Sequence, residues 1–420
     1  MRILVYPHSM EIGGSQLNAI ELAGAVRDRG HEVVVLSEDG DLVEVVHRLG
    51  LEHVPIDPRA ARRPSPYAVR QLAALARDRR LDVLHGYEWP PGVETFLAAA
   101  RSPATAVCTV MSMSVAPFLP HTMPLVVGTE DTRAAAVAAG HRSVTLLEPP
   151  VDMAANSPDF PAGGFRAEHG LDPDLPLVVV VCRLVRELKL EGLLTACDAV
   201  GALAAAGTPV QLAVVGDGAA RDQVAEAAAK ADAQAGRRVV VLTGQLSDPR
   251  PAYAAADVML GMGGSALRGL AFGKPLVVQG ERGFWQLLTP GSEPVFLRQG
   301  WYGVGAGDDG AARLAGILRP LLADPGRWAE LGRHGRRLVE DRFSLAAAAA
   351  DQEQVYAAAG PPGGRAGRTV VAADTARMLA GVGRHKVRRK WQRWRGTAAT
   401  DDFNALAGPV PTGRRDDHRG

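Results

Sequence analysis

"LPLVVVVCRLVRELKLEGLL" occupies residues 175–194, and its reading decides the fold. The run Val178–Val181 has no polar alternation. A continuous apolar run of this length suits a strand covered on both faces, the habit of parallel sheets in α/β proteins. Its end at Cys182 places Arg183 at the carboxyl edge of a sheet, where open α/β folds bind ligands. Lys189 follows near the start of the next helix. Two cations converging on one crevice suit a diphosphate, with the guanidinium supplying a fork and the ammonium a point charge. The plain alternative is a pair of solvated loop cations.

Working outward, the same strand-then-helix pattern recurs on both sides. Upstream lie "ILVY" (3–6), "EVVVLS" (32–37), "LDVLHG" (81–86), "TAVCTV" (105–110), "PLVVG" (124–128) and "SVTLL" (143–147). Leu17, Ile20, Ala23 and Val26 mark a helical stripe after the first run, and a further helix is expected near 41–49. Downstream lie "VQLAVVGDG" (210–218), "RRVVVLTG" (237–244), "ADVML" (256–260) and "KPLVV" (274–278). The pattern pauses over 148–175, which is rich in Pro, Gly and Asp. Alternating elements of this kind predict an α/β fold of two Rossmann-like domains facing a cleft. The expected division is a first domain at 1–155, a linker at 156–174 and a second domain at 175–343. A closing helix at 344–360 and a flexible basic tail at 361–420 with one short helix complete it. Helices at 311–323, 326–342 and 344–359 are expected to close the second half.

Composition agrees and excludes other classes. A chain of 420 residues exceeds what one core usually organises. Lys plus Arg is 47 against 46 for Asp plus Glu, so no overall charge draws it to nucleic acid. Three cysteines are too few for a disulfide framework or a Cys-rich zinc site. No apolar stretch reaches the length of a spanning helix or a signal-peptide core, which predicts a cytoplasmic protein.

Glycine-rich turns follow several of the predicted strands. Gly13-Gly14-Ser15 opens the first helix, Gly216 lies in "VVGDG", and Gly263-Gly264-Ser265 opens the helix after "ADVML". Glycines let the backbone approach an anion, and a helix N-terminus offers free N–H groups. The first turn also reads simply as a β–α connection with Ser15 as N-cap. No G-x-G-x-x-G, P-loop, nucleophile-elbow or H-E-x-x-H pattern occurs.

Over residues 1 to about 359 the chain resembles the retaining GT-B glycosyltransferases of family 4. The resemblance rests on "GGS…ELAGAVRDRGHEVVVLS", "EPPVD", "CRLVRELKLEGLL", "VVGDGAARDQV", "LTGQLSD…YAAADVML", "ALRGLAFGKPLVV" and "LGRHGRRLVEDRFS" in that order. It implies an acceptor-side first domain and a nucleotide-sugar-binding second domain. Arg183 and Lys189 would hold the donor diphosphate, Gly13 and Gly14 would face its sugar and phosphates, and Gln245 and Leu246 would lie against the base. Two departures stand out. The family's paired glutamates fall here on Leu260 and Arg268, and Arg offers only donors to a ribose diol. The family histidine after "CTV" is Met111. His85, Glu88, Glu130, Asp131 and Glu281 are the other polar groups near the cleft, with Glu281 preferred because it follows "KPLVVQG" at the carboxyl edge.

The implied activity is metal-independent hexosyl transfer, with retention, from a nucleotide sugar to an acceptor hydroxyl, the nucleotide sugar being co-substrate and no further cofactor being needed. The alternatives are a catalytically silent GT-B binding or scaffold protein and a sugar-nucleotide epimerase. The tail adds one expectation. "RHKVRRKWQRWR" (384–395) holds seven Lys/Arg and no acid, with Trp391 and Trp394 on one helical face with Val387. A basic helix with interfacial Trp suits an anionic membrane surface and a peripheral place on its inner face, the alternative being a helix that packs its Trp face back onto the catalytic body.

Overall fold

Both halves of the chain turn their Val/Leu runs into strands buried on two faces. The computed structural model describes residues 1–307, 309–360 and 364–395. The first sheet holds β1 (Arg2–Tyr6), β2 (Glu32–Ser37), β3 (Glu52–Pro55), β4 (Val83–Tyr87), β5 (Thr105–Val110), β6 (Leu125–Val127) and β7 (Val144–Leu146) in the order β3-β2-β1-β4-β5-β6-β7. Every pairing in it is parallel. The second holds β8 (Leu177–Val181), β9 (Gln211–Val215), β10 (Val240–Gly244), β11 (Val258–Gly261), β12 (Leu276–Gln279) and β13 (Trp285–Leu287) in the order β10-β9-β8-β11-β12-β13. Only β13 runs antiparallel there. The strand order reverses beside β1 in one sheet and beside β8 in the other. Reversal opens a crevice at the carboxyl ends of the strands. The Gly13 turn and Arg183 each leave the sheet at such a point.

Short β3 and β13 lack a Val/Leu run and were not expected. Two further corrections concern the C-terminal helices. The Leu345–Ala358 helix does not close the second half. It crosses back, and Ala348, Ala349, Val355 and Tyr356 join Ile20 and Ala23 in the first domain's core. Its route is fixed where the two interdomain passages run side by side: Val151 N donates to Phe343 O at 2.8 Å, and Leu345 N donates to Val151 O at 3.0 Å.

The tail is also not a flexible segment with one short helix. It forms a single helix, Gly364–Trp394, seated on the first domain. Asp374, Met378 and Val382 recur at helical spacing and are buried. Met378 and Val382 pack with Phe118 and Leu119, while Asp374 accepts from Thr122 N and Oγ1 at 2.9 and 2.8 Å. Arg377 ties the same face to Leu119 O at 2.6 Å.

Candidate active site

The carboxyl edges of the two sheets face each other across a cleft, and charged side chains span it. Arg183 Nη1 lies 3.6 Å from Glu11 Oε2, in the loop that leads to Gly13. Arg268 Nη2 reaches both carboxylate oxygens of Glu21 at 3.0 Å, joining the Gly264–Ala271 helix to the Gly14–Asp28 helix. Arg298 and Asp131 make a looser third crossing at 3.9 Å.

Lys189 follows a strained turn. Leu188 before it has φ 62°, a left-handed conformation that costs a non-glycine residue about 1–3 kcal/mol. The turn is held from below, where Gln279 Nε2 donates to Lys189 O at 3.3 Å and Gly192 leaves the room that the Gln279 amide fills. The ammonium itself has no carboxylate partner among the described residues. Burial lowers its pKa below the ordinary lysine value; Cys182 opposes that shift, and Arg183 adds a smaller contribution in the same direction as burial. A cation desolvated beside a second cation is a site for an anion.

Several of the predicted residues stand in the loops at the carboxyl edge of the second sheet. Gly263 caps the Gly264–Ala271 helix at φ 54°, and Ser265 Oγ donates to Met262 O at 3.0 Å. Glu281 follows β12, and its carboxylate accepts from Tyr302 Oη. Beside it, Glu191 accepts from Arg282 N and Gly283 N at 2.9 and 2.7 Å. Gly216, Gln245 and Leu246 lie on the far side of β8, beyond β9 and β10. Gly216 has φ 138°, and any Cβ there would sit 1.9 Å from Cys182 O, so it lets the two loops touch.

Three expectations change. Ser15 is not an N-cap: Gly13 holds that position, and Ser15 Oγ donates instead to Glu88 Oε1 at 3.1 Å. Arg268, expected as a donor contact at the mouth of the nucleotide pocket, pairs with Glu21 across the cleft. Leu260 is a core residue of β11 paired with Val180 and Val277, and only Met262 and Gly263 separate that strand from the next helix.

On the acceptor side, Glu88 is neither solvated nor loosely held. It is buried and accepts from Met111 N at 2.9 Å, Ser112 Oγ at 2.7 Å and Ser15 Oγ. Its φ of 67° and ψ of 173° fall in a region that is essentially glycine's alone. The Glu88 carboxylate therefore meets the backbone of Met111, the position of the missing histidine. Three of the four non-glycine residues with positive φ (Glu88, Leu188 and Arg282) stand at these carboxyl-edge loops, so the strain collects at the cleft. His85 is structural, with Nδ1 2.7 Å from Tyr356 Oη and Nε2 2.7 Å from Thr109 Oγ1. Glu130 is paired with Arg133 on its own helix. Glu21, Glu191 and Gln279 carry no local motif and emerge only once the loops are brought together. Among the described residues no cluster of three or more His, Cys, Asp or Glu is placed to hold a metal ion.

Residues 12–122 match the family described as Glycosyltransferase Family 4, and residues 175–324 match Glycosyl transferases group 1. No curated protein matches the chain in sequence. Among solved structures it is similar to a glycosyltransferase from Rickettsia africae, at 16% identity over 84% of this chain and 97% of that one, with TM-score 0.66. Sucrose-phosphate synthase from Thermosynechococcus elongatus is similar at 18% identity over 85% and 98%, with TM-score 0.67. HepE from Anabaena, solved with UDP-glucose, is similar at 16% identity over 85% and 99%, with TM-score 0.65. Two family domains in sequence order, on two parallel sheets that face each other across a charged cleft, place the chain among the group 1, family 4 glycosyltransferases of GT-B fold.

Proposed function

We propose that the protein transfers a hexosyl group from a nucleoside diphosphate sugar to an acceptor hydroxyl, with retention and without a metal ion. Lys189 carries this reading: a desolvated cation beside Arg183, with no carboxylate to neutralise it, suits the diphosphate that leaves as the glycosidic bond breaks. Preorganised charge of this kind stabilises the leaving group as an oxocarbenium-like centre develops. The glycine turns at Gly13-Gly14 and Gly263-Gly264 add backbone donors, and closure of the domains excludes water. Gln245 and Leu246 would flank the base, with Gly216 shaping the same loops, and Ser265 and Glu281 would line the donor's sugar end. We place the reaction in the cytoplasm, on an acceptor presented at the inner face of a membrane.

Release of nucleoside diphosphate from a panel of nucleotide sugars tests the reading, starting with UDP-glucose because HepE is solved with it. Turnover that falls in Arg183→Ala and in Lys189→Met supports it. Binding without turnover across donors and acceptors would instead favour a silent GT-B binding protein, a reading that the core position of Leu260 and the Arg268–Glu21 pair favour. Acceptor-independent conversion of one nucleotide sugar into another would identify an epimerase.

A further inference from the structure

The Gly364–Trp394 helix shows opposite characters on its two sides. Its packed face, through Asp374, Met378, Val382 and His385, is fastened to the first domain. At 3.6 residues per turn, Val387, Trp391 and Trp394 fall about 180° from that face. They are 71%, 50% and 81% exposed, among the largest exposures of any apolar side chain described. Lys386, Lys390 and Arg393 flank this stripe on one side, and Arg384, Arg388 and Arg395 on the other, all exposed. Arg395 stacks over the Trp391 ring at 3.6 Å, so even the partly covered indole is covered by a cation. There is no acid from 384 to 395.

The helix also has a direction. Asp374 sits at Thr122, below the start of β6, whereas His385 packs 5.3 Å from Trp89, which begins the helix directly after Glu88. Lys386 Nζ then reaches Pro64 O at 3.3 Å. The helix thus runs from the amino edge of the sheet to its carboxyl edge, and the tryptophan stripe, about 10 Å long, continues past these last anchors.

We infer that the Val387–Trp394 face is a docking surface for an anionic lipid bilayer, held rigidly so that docking brings the acceptor side of the cleft to the membrane. The apolar stripe enters the interface, and the cations on both flanks meet acidic headgroups. A partner of this orientation supplies an amphiphilic acceptor, with its hydroxyl at headgroup level and its apolar part in the bilayer. The surface adds a location to the proposed reaction without depending on the donor chemistry.

Co-sedimentation of the full chain with phosphatidylglycerol–phosphatidylcholine vesicles, and with phosphatidylcholine alone, tests it. Binding is expected only to the anionic vesicles at about 25 mM salt and is expected to weaken steeply by about 500 mM. Trp391→Ala with Trp394→Ala should lower the partition at least about tenfold, and Arg388→Gln with Lys390→Gln should remove the preference for anionic lipid. These side chains are exposed, so nucleotide binding in solution should be unchanged and serves as the control for folding. A full chain that ignores anionic vesicles at low salt overturns the inference, as does membrane binding that survives both double variants. Stronger retention on nucleic acid than on anionic vesicles overturns it too. In each case the solution assay of donor turnover still stands or falls separately.

Discussion

Lys189 and Glu88 stand on opposite banks of one cleft, the first half-buried and the second buried, yet their surroundings differ. Glu88 is saturated by three donors from two segments, the Met111–Ser112 loop and the first helix, whereas Lys189 is left without an anion and beside a second cation. A buried charge whose partners are all internal holds its own domain together. A half-buried charge with no internal partner waits for one to arrive. The first domain therefore reads as a rigid wall and the second as a receptor.

The largest test of that contrast is Lys189→Met. Losing one preorganised stabiliser of developing charge costs about 2.7–4 kcal/mol, or roughly 10²–10³ in turnover. Thermal stability should hold or rise, because a desolvated cation has been removed. A variant that loses stability and keeps turnover would make Lys189 a structural cation. Next comes Arg268→Glu, which sets two carboxylates against each other across the cleft. We expect turnover to fall about 10–100-fold as closure is opposed, with partial recovery when Glu21→Arg is added. Failure of the swap to recover any activity would mean that the pair does more than join the domains.

Glu88→Gln should act mainly on stability. The amide keeps one acceptor oxygen where the carboxylate used two, so about 1–3 kcal/mol is expected in chemical denaturation. If stability is unmoved while the KM for acceptor rises, Glu88 belongs with Lys189 as a group that meets substrate. The smallest effect concerns pH. Burial pushes His85 down to about 3, so the folded ring stays neutral while an unfolded one takes a proton near its ordinary value of about 6.5. Between those values the unfolded chain binds more protons, so stability falls as pH drops below about 6.5. Two chemical denaturation series, at about pH 7 and about pH 5, should show a loss of about 1–2 kcal/mol that is smaller in His85→Gln.

Much of the fold was legible because it is written in continuous Val/Leu runs: β2 and β5 fall on their predicted residues, and β8 within one or two of them. β3 and β13 were not legible, since "EHVP" and "WQL" have no such run and owe their strand form to the neighbour they pair with. The destination of the Leu345–Ala358 helix was hidden for a related reason. An alanine-rich face fits many surfaces, and the polar contacts that pick out the first domain, Tyr356 with His85 and Glu353 with Arg29 and His31, join residues far apart in sequence. In the site, Arg183 and Lys189 announced themselves by standing after a strand. Glu21 did not, and Glu88 stood out only as one of several loop carboxylates, because the groups they meet lie far away in sequence and a carboxylate on a loop or helix has the same local signature whether it is solvated or saturated. The tail showed its charge and its tryptophans plainly. What it could not show was which face of the helix the protein would keep for itself.

The crossing at Val151 and Leu345 also bears on how the chain is made. The first domain is built from two pieces of sequence, and His85 waits for a tyrosine 271 positions later. As the chain leaves the ribosome, that domain has its sheet early but lacks the two helices that cover it until the second domain has been synthesised. At about 5–20 residues per second the delay is on the order of 10–50 s. For that interval the Ile20 and Phe118 faces are bare on a nascent chain, so the half that begins first is the one that finishes last.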